Sequence, residues 1–298
     1  MTHHLDMGDP RELPFEKWQG TGNDFIICSM QRAMDFAKDI STLAKAICDR
    51  HYGVGADGLL LLGHSEKTGF QMRMWNPDGS ESEMCGNGLR CVGAHLIRHG
   101  LVDGSSVLAL GTARRTVNLT FMKPPEWAGA DRFWVRADMG KPVTDRARIP
   151  IATAGPSPVL EEEMEIPGFI ETVKFTAVNF GNPHAVIFVV DLDQVPVDKW
   201  GPAIENNTDM FPNRVNVEFV QVIGSDHVKM RVWERGAGIT LSCGSGVAAI
   251  QAACHMTRRA GDKLRVDVPG GSLLTEYTTD GLVMLSGPAV KVFSGEWA

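Results

Sequence analysis

The apolar positions of this chain fall in short runs, most of them at strand spacing. Phe15 to Trp18 alternates, and Phe25 to Cys28 is a continuous apolar stretch of strand length. Leu59 to Leu62, Gly69 to Trp75, Ser106 to Leu110 and Arg115 to Phe121 predict further strands in the first half. The second half repeats the style at Phe133 to Met139, Lys174 to Val178, Ala185 to Val190, Val215 to Ile223 and Val228 to Trp233. It closes with Leu264 to Val268, Ser272 to Tyr277, Gly281 to Leu285 and Val290 to Phe293. Helical spacing is rarer. Ile40 to Asp49 predicts a helix with Ser41 as its N-cap, and Pro196 to Glu205 predicts another. The two longest helices begin at Cys85, running to Arg98 before Gly100, and at Cys243, running to about Arg259.

The pattern occurs twice. Cys85-Gly86-Asn87-Gly88 opens one apolar run, and Cys243-Gly244-Ser245-Gly246 opens another 158 positions later. The same offset lays Met72-Arg73-Met74-Trp75 on Met230-Arg231-Val232-Trp233 and Asn76 on Glu234. With an offset of 159, Gly22-Asn23 falls on Gly181-Asn182 and Asp57 on Asn216. A period this long marks a duplicated domain rather than a solenoid. The expectation is an α/β (α+β) fold of two pseudo-symmetric lobes. Each is a curved, mostly antiparallel sheet wrapped around a long central helix, with the active site in the cleft between them. The expected bounds are 12–130 for the first lobe, 131–287 for the second, and 288–298 for a tail that returns to the first.

Composition narrows the function classes. A chain of 298 residues suffices for two domains, and 43% hydrophobic with 22% charged residues is an ordinary globular balance. The net charge of −7 gives no basic footprint for nucleic acid. No apolar run is long enough to span a bilayer, and the N-terminal MTHHLDMGDP lacks a signal-peptide pattern, so a cytoplasmic protein is expected. Cys28, Cys48 and Cys254 sit in apolar stretches and read as buried filler. Cys85 and Cys91 lack the spacing of paired zinc ligands, so no metal is expected. Gly53-Val54-Gly55-Ala56-Asp57-Gly58 has dinucleotide-binding spacing but precedes a strand, where that fingerprint must open a helix.

The two Cys-Gly-x-Gly turns carry the chemistry. A cysteine at a helix N-terminus lies at the positive end of the helix dipole, which favours the thiolate. The glycines admit a ligand close to the backbone, and the unpaired amides of the helix start bind a carboxylate. Two such sites facing one cleft would let one sulfur take a proton from an α-carbon while the other delivers one to the opposite face. Such a reaction inverts the stereocentre and calls for no cofactor. Asn23, Asn76, Asn182, Asn216, Glu234 and Arg235 occupy the paired loops around these turns, and His184 follows Pro183 in one of them.

These stretches together resemble the diaminopimelate epimerases, within the cofactor-independent amino-acid racemases and epimerases. The resemblance rests on Gly20 to Phe25, Asn76 to Cys91, Gly181 to His184, Arg214 to Asn216, Glu234 to Gly238 and Cys243 to Gly246. It implies interconversion of LL- and meso-2,6-diaminoheptanedioate in lysine biosynthesis, without cofactor. It implies Cys85 and Cys243 as the acid–base pair, assisted by His184 and Glu234. Substrate contacts would come from Asn23, Asn76, Gly86, Asn87, Asn182, Asn216, Glu234, Arg235, Gly244 and Ser245. It also implies a small-molecule amino-acid substrate and a homodimer. Some members carry Gln where this chain has Gly58. A racemase of another amino acid, such as histidine, is the alternative on the same fold. A non-catalytic amino-acid-binding module is the alternative of another class, and binding alone needs neither thiol.

Overall fold

The computed structural model describes residues 11–82, 85–128 and 133–298. The lobe boundary expected at 130/131 and the polar N-terminus lie outside the described residues. The chain divides into two compact units, residues 1–135 with 288–298 and residues 136–287.

The first unit opens with an antiparallel pair, β1 (Leu13–Gly20) and β2 (Asn23–Ser29). Two helices follow, α1 (Met30–Phe36) and α2 (Ile40–Cys48). Strand β3 (Gly58–Ser65) runs parallel to β2, and β4 (Gly69–Trp75) folds back antiparallel on β3. After the short β5 (Glu81–Ser82) comes α3 (Gly86–Arg98), then β6 (Leu108–Gly111), parallel to β4, and β7 (Thr116–Met122), antiparallel to β6. Strand β8 (Phe133–Gly140) leads into the second unit.

There β9 (Glu162–Glu165) and β10 (Thr172–Asn179) pair antiparallel, and β10 pairs antiparallel with β11 (Pro183–Val189). Helix α4 (Val197–Glu205) separates β11 from β12 (Asn216–Gly224), which runs parallel to β11. Strand β13 (His227–Glu234) returns on β12, followed by β14 (Gly238–Thr240) and α5 (Gly244–Thr257). Strands β15 (Lys263–Val268), parallel to β13, and β16 (Gly271–Tyr277) complete the order. The last strand, β17 (Val283–Trp297), pairs with β16 in the second unit and then with β1 in the first.

The element order β2–β3–β4–α3–β6–β7 is thus repeated as β11–β12–β13–α5–β15–β16, with parallel and antiparallel pairs at the same places. Register locates the one-residue slip of the repeat. Phe25 is opposite Gly58 on β2 and β3, while His184 is opposite Asn216 on β11 and β12. Asn216 therefore corresponds to Gly58 rather than to Asp57, and His184 to Phe25.

Each central helix is buried against its own sheet. Helix α3 packs on β1, β2, β3 and β7, and α5 on β10, β11, β12, β15 and β16. Helix α5 itself carries mostly small and apolar residues on all sides, as an enclosed helix requires. The opposite sheet faces are covered too. Ile26, Cys28, Leu59 and Leu61 join Leu43, Ala44 and Ile47 of α2 in one core. Ala185, Ile187, Val217 and Phe219 join Val197 and Ile204 of α4 in another. Since side chains alternate along a strand, residues 184, 216 and 218 point to the α5 face. Among the described residues no helix is long and apolar enough to cross a membrane.

Several elements differ from expectation, among them the short strands β5, β9 and β14, which the sequence pattern does not predict. Helix α1 is an addition; Ser29 caps it, and Ala33 is its one buried residue. The cap of α2 is Asp39, whose carboxylate accepts from the amides of Ser41 and Thr42 at 3.2 and 3.0 Å. The two strands expected at Gly281 to Leu285 and Val290 to Phe293 are one continuous β17.

Candidate active site

The two cysteines cap their helices in the same way. Cys85 has φ −138° and ψ 114°, and Cys243 has φ −116° and ψ 109°. In each the sulfur accepts the amide hydrogen three residues on, from Gly88 or Gly246, at 3.4 Å. In each the backbone carbonyl accepts from the amide after that, Leu89 or Val247, at 2.9 Å. The earlier amides of an α-helix have no intrahelical acceptor, so each turn presents donors suited to an anion.

In the first unit the structure brings Asn23, Cys85 and Asn87 together. Asn23 Oδ1 accepts from Asn87 Nδ2 at 3.1 Å and lies 3.9 Å from Cys85 Sγ. Asn23 Nδ2 donates to Asp57 at 2.6 Å, and Arg50 bridges Asp57 and Asp24. Burial works against ionisation of Asp24, but Arg50 and Lys17 outweigh it and hold that carboxyl at about 2. Beneath the turn, the fully buried Arg90 guanidinium donates to Thr21 Oγ1 at 3.3 Å, and burial lowers its pKa to about 10. Asn76 is not drawn into this group. Its amide donates to Ser80 Oγ at 3.0 Å and closes its own turn. A β-carbon on Gly58 would lie 2.8 Å from Met74 Cε and 3.1 Å from the Trp75 carbonyl, so this chain leaves little room for a side chain there.

The second unit surrounds its cysteine with acid groups. Cys243 Sγ lies 3.5 Å from Ser245 Oγ and hydrogen-bonds the Glu234 carboxyl, which also accepts from Thr240. Burial, and then the nearby carboxylates of Glu234 and Glu218, push the Cys243 thiol well above its ordinary value. This reverses the expectation of a thiolate favoured by the helix dipole; here desolvation and two negative neighbours outweigh the dipole. Burial likewise raises Glu234. His184, expected in a turn, is the second residue of β11 and fully buried. Its Nδ1 is 2.7 Å from Glu218 Oε1 and its Nε2 3.1 Å from Asn182 Oδ1. Asn216 donates to the Pro183 carbonyl at 2.8 Å and accepts from the Arg235 amide at 3.0 Å. The Arg235 guanidinium rests on the Asn213 carbonyl at 2.8 Å.

Glu218 is the residue that sequence reading missed. The run Val215-Asn216-Val217-Glu218-Phe219 alternates, and its polar positions read as a solvated face. The sheet is covered on both sides, so Glu218 is wholly buried. The signal was available in the repeat, because an offset of 158 lays Glu218 on Leu60, within an apolar run.

Residues 15–143 and 176–292 match the family model described as Diaminopimelate epimerase. The chain belongs to the diaminopimelate epimerase family. It is 42% identical over 286 residues to a diaminopimelate epimerase of Moorella thermoacetica, spanning 96% of this chain and 99% of that one. To that of Pelotomaculum thermopropionicum it is 44% identical over 288 residues, with the same coverage. More distant solved structures share the fold. A Bacillus anthracis phenazine biosynthesis protein of the PhzF family superposes with TM-score 0.68 at 15% identity, covering 96% of this chain and 99% of that one. A hydroxyproline epimerase from Agrobacterium vitis gives 0.67 at 14% identity, covering 96% and 91%. Within the diaminopimelate epimerase family, the paired cysteine caps are the feature with an immediate chemical reading.

Proposed function

We propose that this protein interconverts LL- and meso-2,6-diaminoheptanedioate by proton transfer at one α-carbon, with Cys85 and Cys243 acting on opposite faces. The observation that carries this reading is the repeated cap, a sulfur at the first turn of each central helix, in a chain of the diaminopimelate epimerase family. Nearly full-length identity above 40% to diaminopimelate epimerases supports the substrate.

The raised pKa of Cys243 favours its entry as the protonated partner, which leaves the base role to Cys85 at the other helix start. The Cys85 sulfur takes the α-proton as the Cys243 thiol delivers its own to the other face. One proton arrives and one leaves, so the atoms balance, and the return reaction exchanges the roles. Charge developing on the substrate carboxylate meets the helix-start amides around Gly86 and Gly244. Glu234, hydrogen-bonded to Cys243, and His184 assist the thiols. Asn23, Asn87, Asn182, Asn216, Arg235 and Ser245 are proposed to hold the rest of the substrate. Arg235 must leave the Asn213 carbonyl to pair with the distal carboxylate.

The test is uptake of solvent deuterium at the α-carbon, offered LL-2,6-diaminoheptanedioate beside histidine, proline and other amino acids. Exchange confined to diaminoheptanedioate supports the reading. Exchange on histidine alone would establish the alternative racemase, and binding without exchange would establish a non-catalytic module.

A further inference from the structure

Equivalent core positions in the two units differ in polarity at the pair that faces Gly88 and Gly246. In the first unit, Phe25 and Leu60 face α3, and a β-carbon on Gly88 would meet Leu60 Cδ2 at 3.2 Å. In the second, the matching positions hold His184 and Glu218, and a β-carbon on Gly246 would meet Glu218 Oε1 at 2.6 Å. All four side chains are buried. The first unit completes the same strands and helix with two hydrocarbons, so the fold itself does not require a buried ionisable pair. Burying one is costly unless every member is hydrogen-bonded.

We propose that Glu218 is a positioning residue that acts through His184 to turn the amide N–H groups of Asn182 toward the substrate. This rests on the proposed function for the identity of the substrate. An ionised Glu218 only accepts, so the 2.7 Å contact makes His184 Nδ1 the donor. Asn182 Oδ1 also only accepts, so the 3.1 Å contact makes Nε2 a donor as well. In the proposed arrangement the ring carries two protons, and Glu218 balances its charge. A ring protonated only at Nδ1 would instead accept at Nε2 from the Asn182 amide and turn its carbonyl outward. With its carbonyl held inward, half-buried Asn182 presents only donors outward. It therefore recognises a carboxylate oxygen of the ligand and not an ammonium group. Cys243 and Glu234 are the other ionisable groups acting on this pair.

The test uses the full chain with 15N-labelled histidine, the His184 signals being assigned by their loss in H184F. Two protonated ring nitrogens are expected in the parent protein at neutral pH. E218Q, which keeps the shape and removes the charge, is expected to leave His184 with one ring proton. Asn182 then turns its carbonyl outward, and KM for diaminoheptanedioate rises about ten-fold or more. H184F and H184F/E218L, the latter copying the apolar pair of the first unit, are expected to share one KM, because Glu218 reaches Asn182 only through the ring, its direct effect on Cys243 falling on kcat. A ring still doubly protonated in E218Q with KM unchanged would overturn the proposal. So would effects of H184F and E218L that simply add. The ring signals are read without substrate, so they support or overturn the pair even in a protein that exchanges no α-proton.

Discussion

Gly246 stands directly over Glu218, with 2.6 Å between a β-carbon built on the glycine and the carboxylate oxygen Oε1. The counterpart in the first unit, Gly88 over Leu60, leaves 3.2 Å to a methyl group that can rotate. The same substitution should therefore act differently in the two units. Gly88→Ala is expected to stay within about 1 kcal/mol of the parent, since helix propensity offsets a small shift of Leu60. Gly246→Ala must displace Glu218 from His184 and is expected to lose about 2–4 kcal/mol together with most turnover. Urea denaturation of both variants checks this.

Replacing either sulfur tests the two-thiol scheme. Cys85→Ser and Cys243→Ser are each expected to lower turnover on the order of a hundred- to ten-thousand-fold, the usual worth of a positioned acid or base. Ser retains a capping oxygen, so circular dichroism and melting should stay close to the parent. Near-normal turnover in either variant would remove that sulfur from the reaction.

Buried thiols set the alkaline limit. Burial pushes Cys48, Cys91 and Cys254 up to about 12 from an ordinary 9.0. The folded protein keeps protons that the unfolded chain releases. Each thiol's contribution is thus whole below about 9 and is lost as pH climbs toward 12, at about 1.4 kcal/mol per unit. Denaturation midpoints should fall across that interval, and less steeply in Cys254→Ala. Cys243, raised in the same direction, should resist iodoacetamide at neutral pH in the ligand-free protein.

The far end of α3 is tied down by a carboxylate. Glu16 on β1 accepts from the Trp18 indole at 2.8 Å, contacts His95 Nδ1 at 2.8 Å and His99 Nε2 at 3.1 Å, and pairs with Lys291. Burial opposes its ionisation, yet His95, Lys291 and Trp18 together hold it far below the usual carboxylate range. Its contribution is therefore present above the ordinary value of 4.5 and is lost in acid. Glu16→Gln is expected to cost about 2 kcal/mol at neutral pH and to blunt the acid limb of the stability profile.

Periodicity and repetition made much of this legible. Leu59 to Leu62 and Phe25 to Cys28 declare strands, and two Cys-Gly-x-Gly turns separated by 158 residues declare paired helix starts. Side-chain placement around those turns was less accessible. The sequence places Asn76 beside the first turn without showing that its amide donates to Ser80 Oγ. Glu218 hides in an alternating strand because alternation reports two faces and not whether each is covered. Ser286-Gly287-Pro288 looks like a stop. It is instead where β17 changes partner from β16 to β1, and proline is tolerated at such a junction. Helix α1 is too short, with too few buried residues, to leave a periodic trace.

That change of partner bears on how the molecule is made. The second unit is one uninterrupted stretch, residues 136–287, and is complete when that stretch has left the ribosome. The first unit begins earlier but finishes later, because β1 waits for Val290 to Trp297 to lie beside it. The half synthesised first is the half that closes last, and until then Leu13 to Gln19 is an open seam in need of protection in the cell.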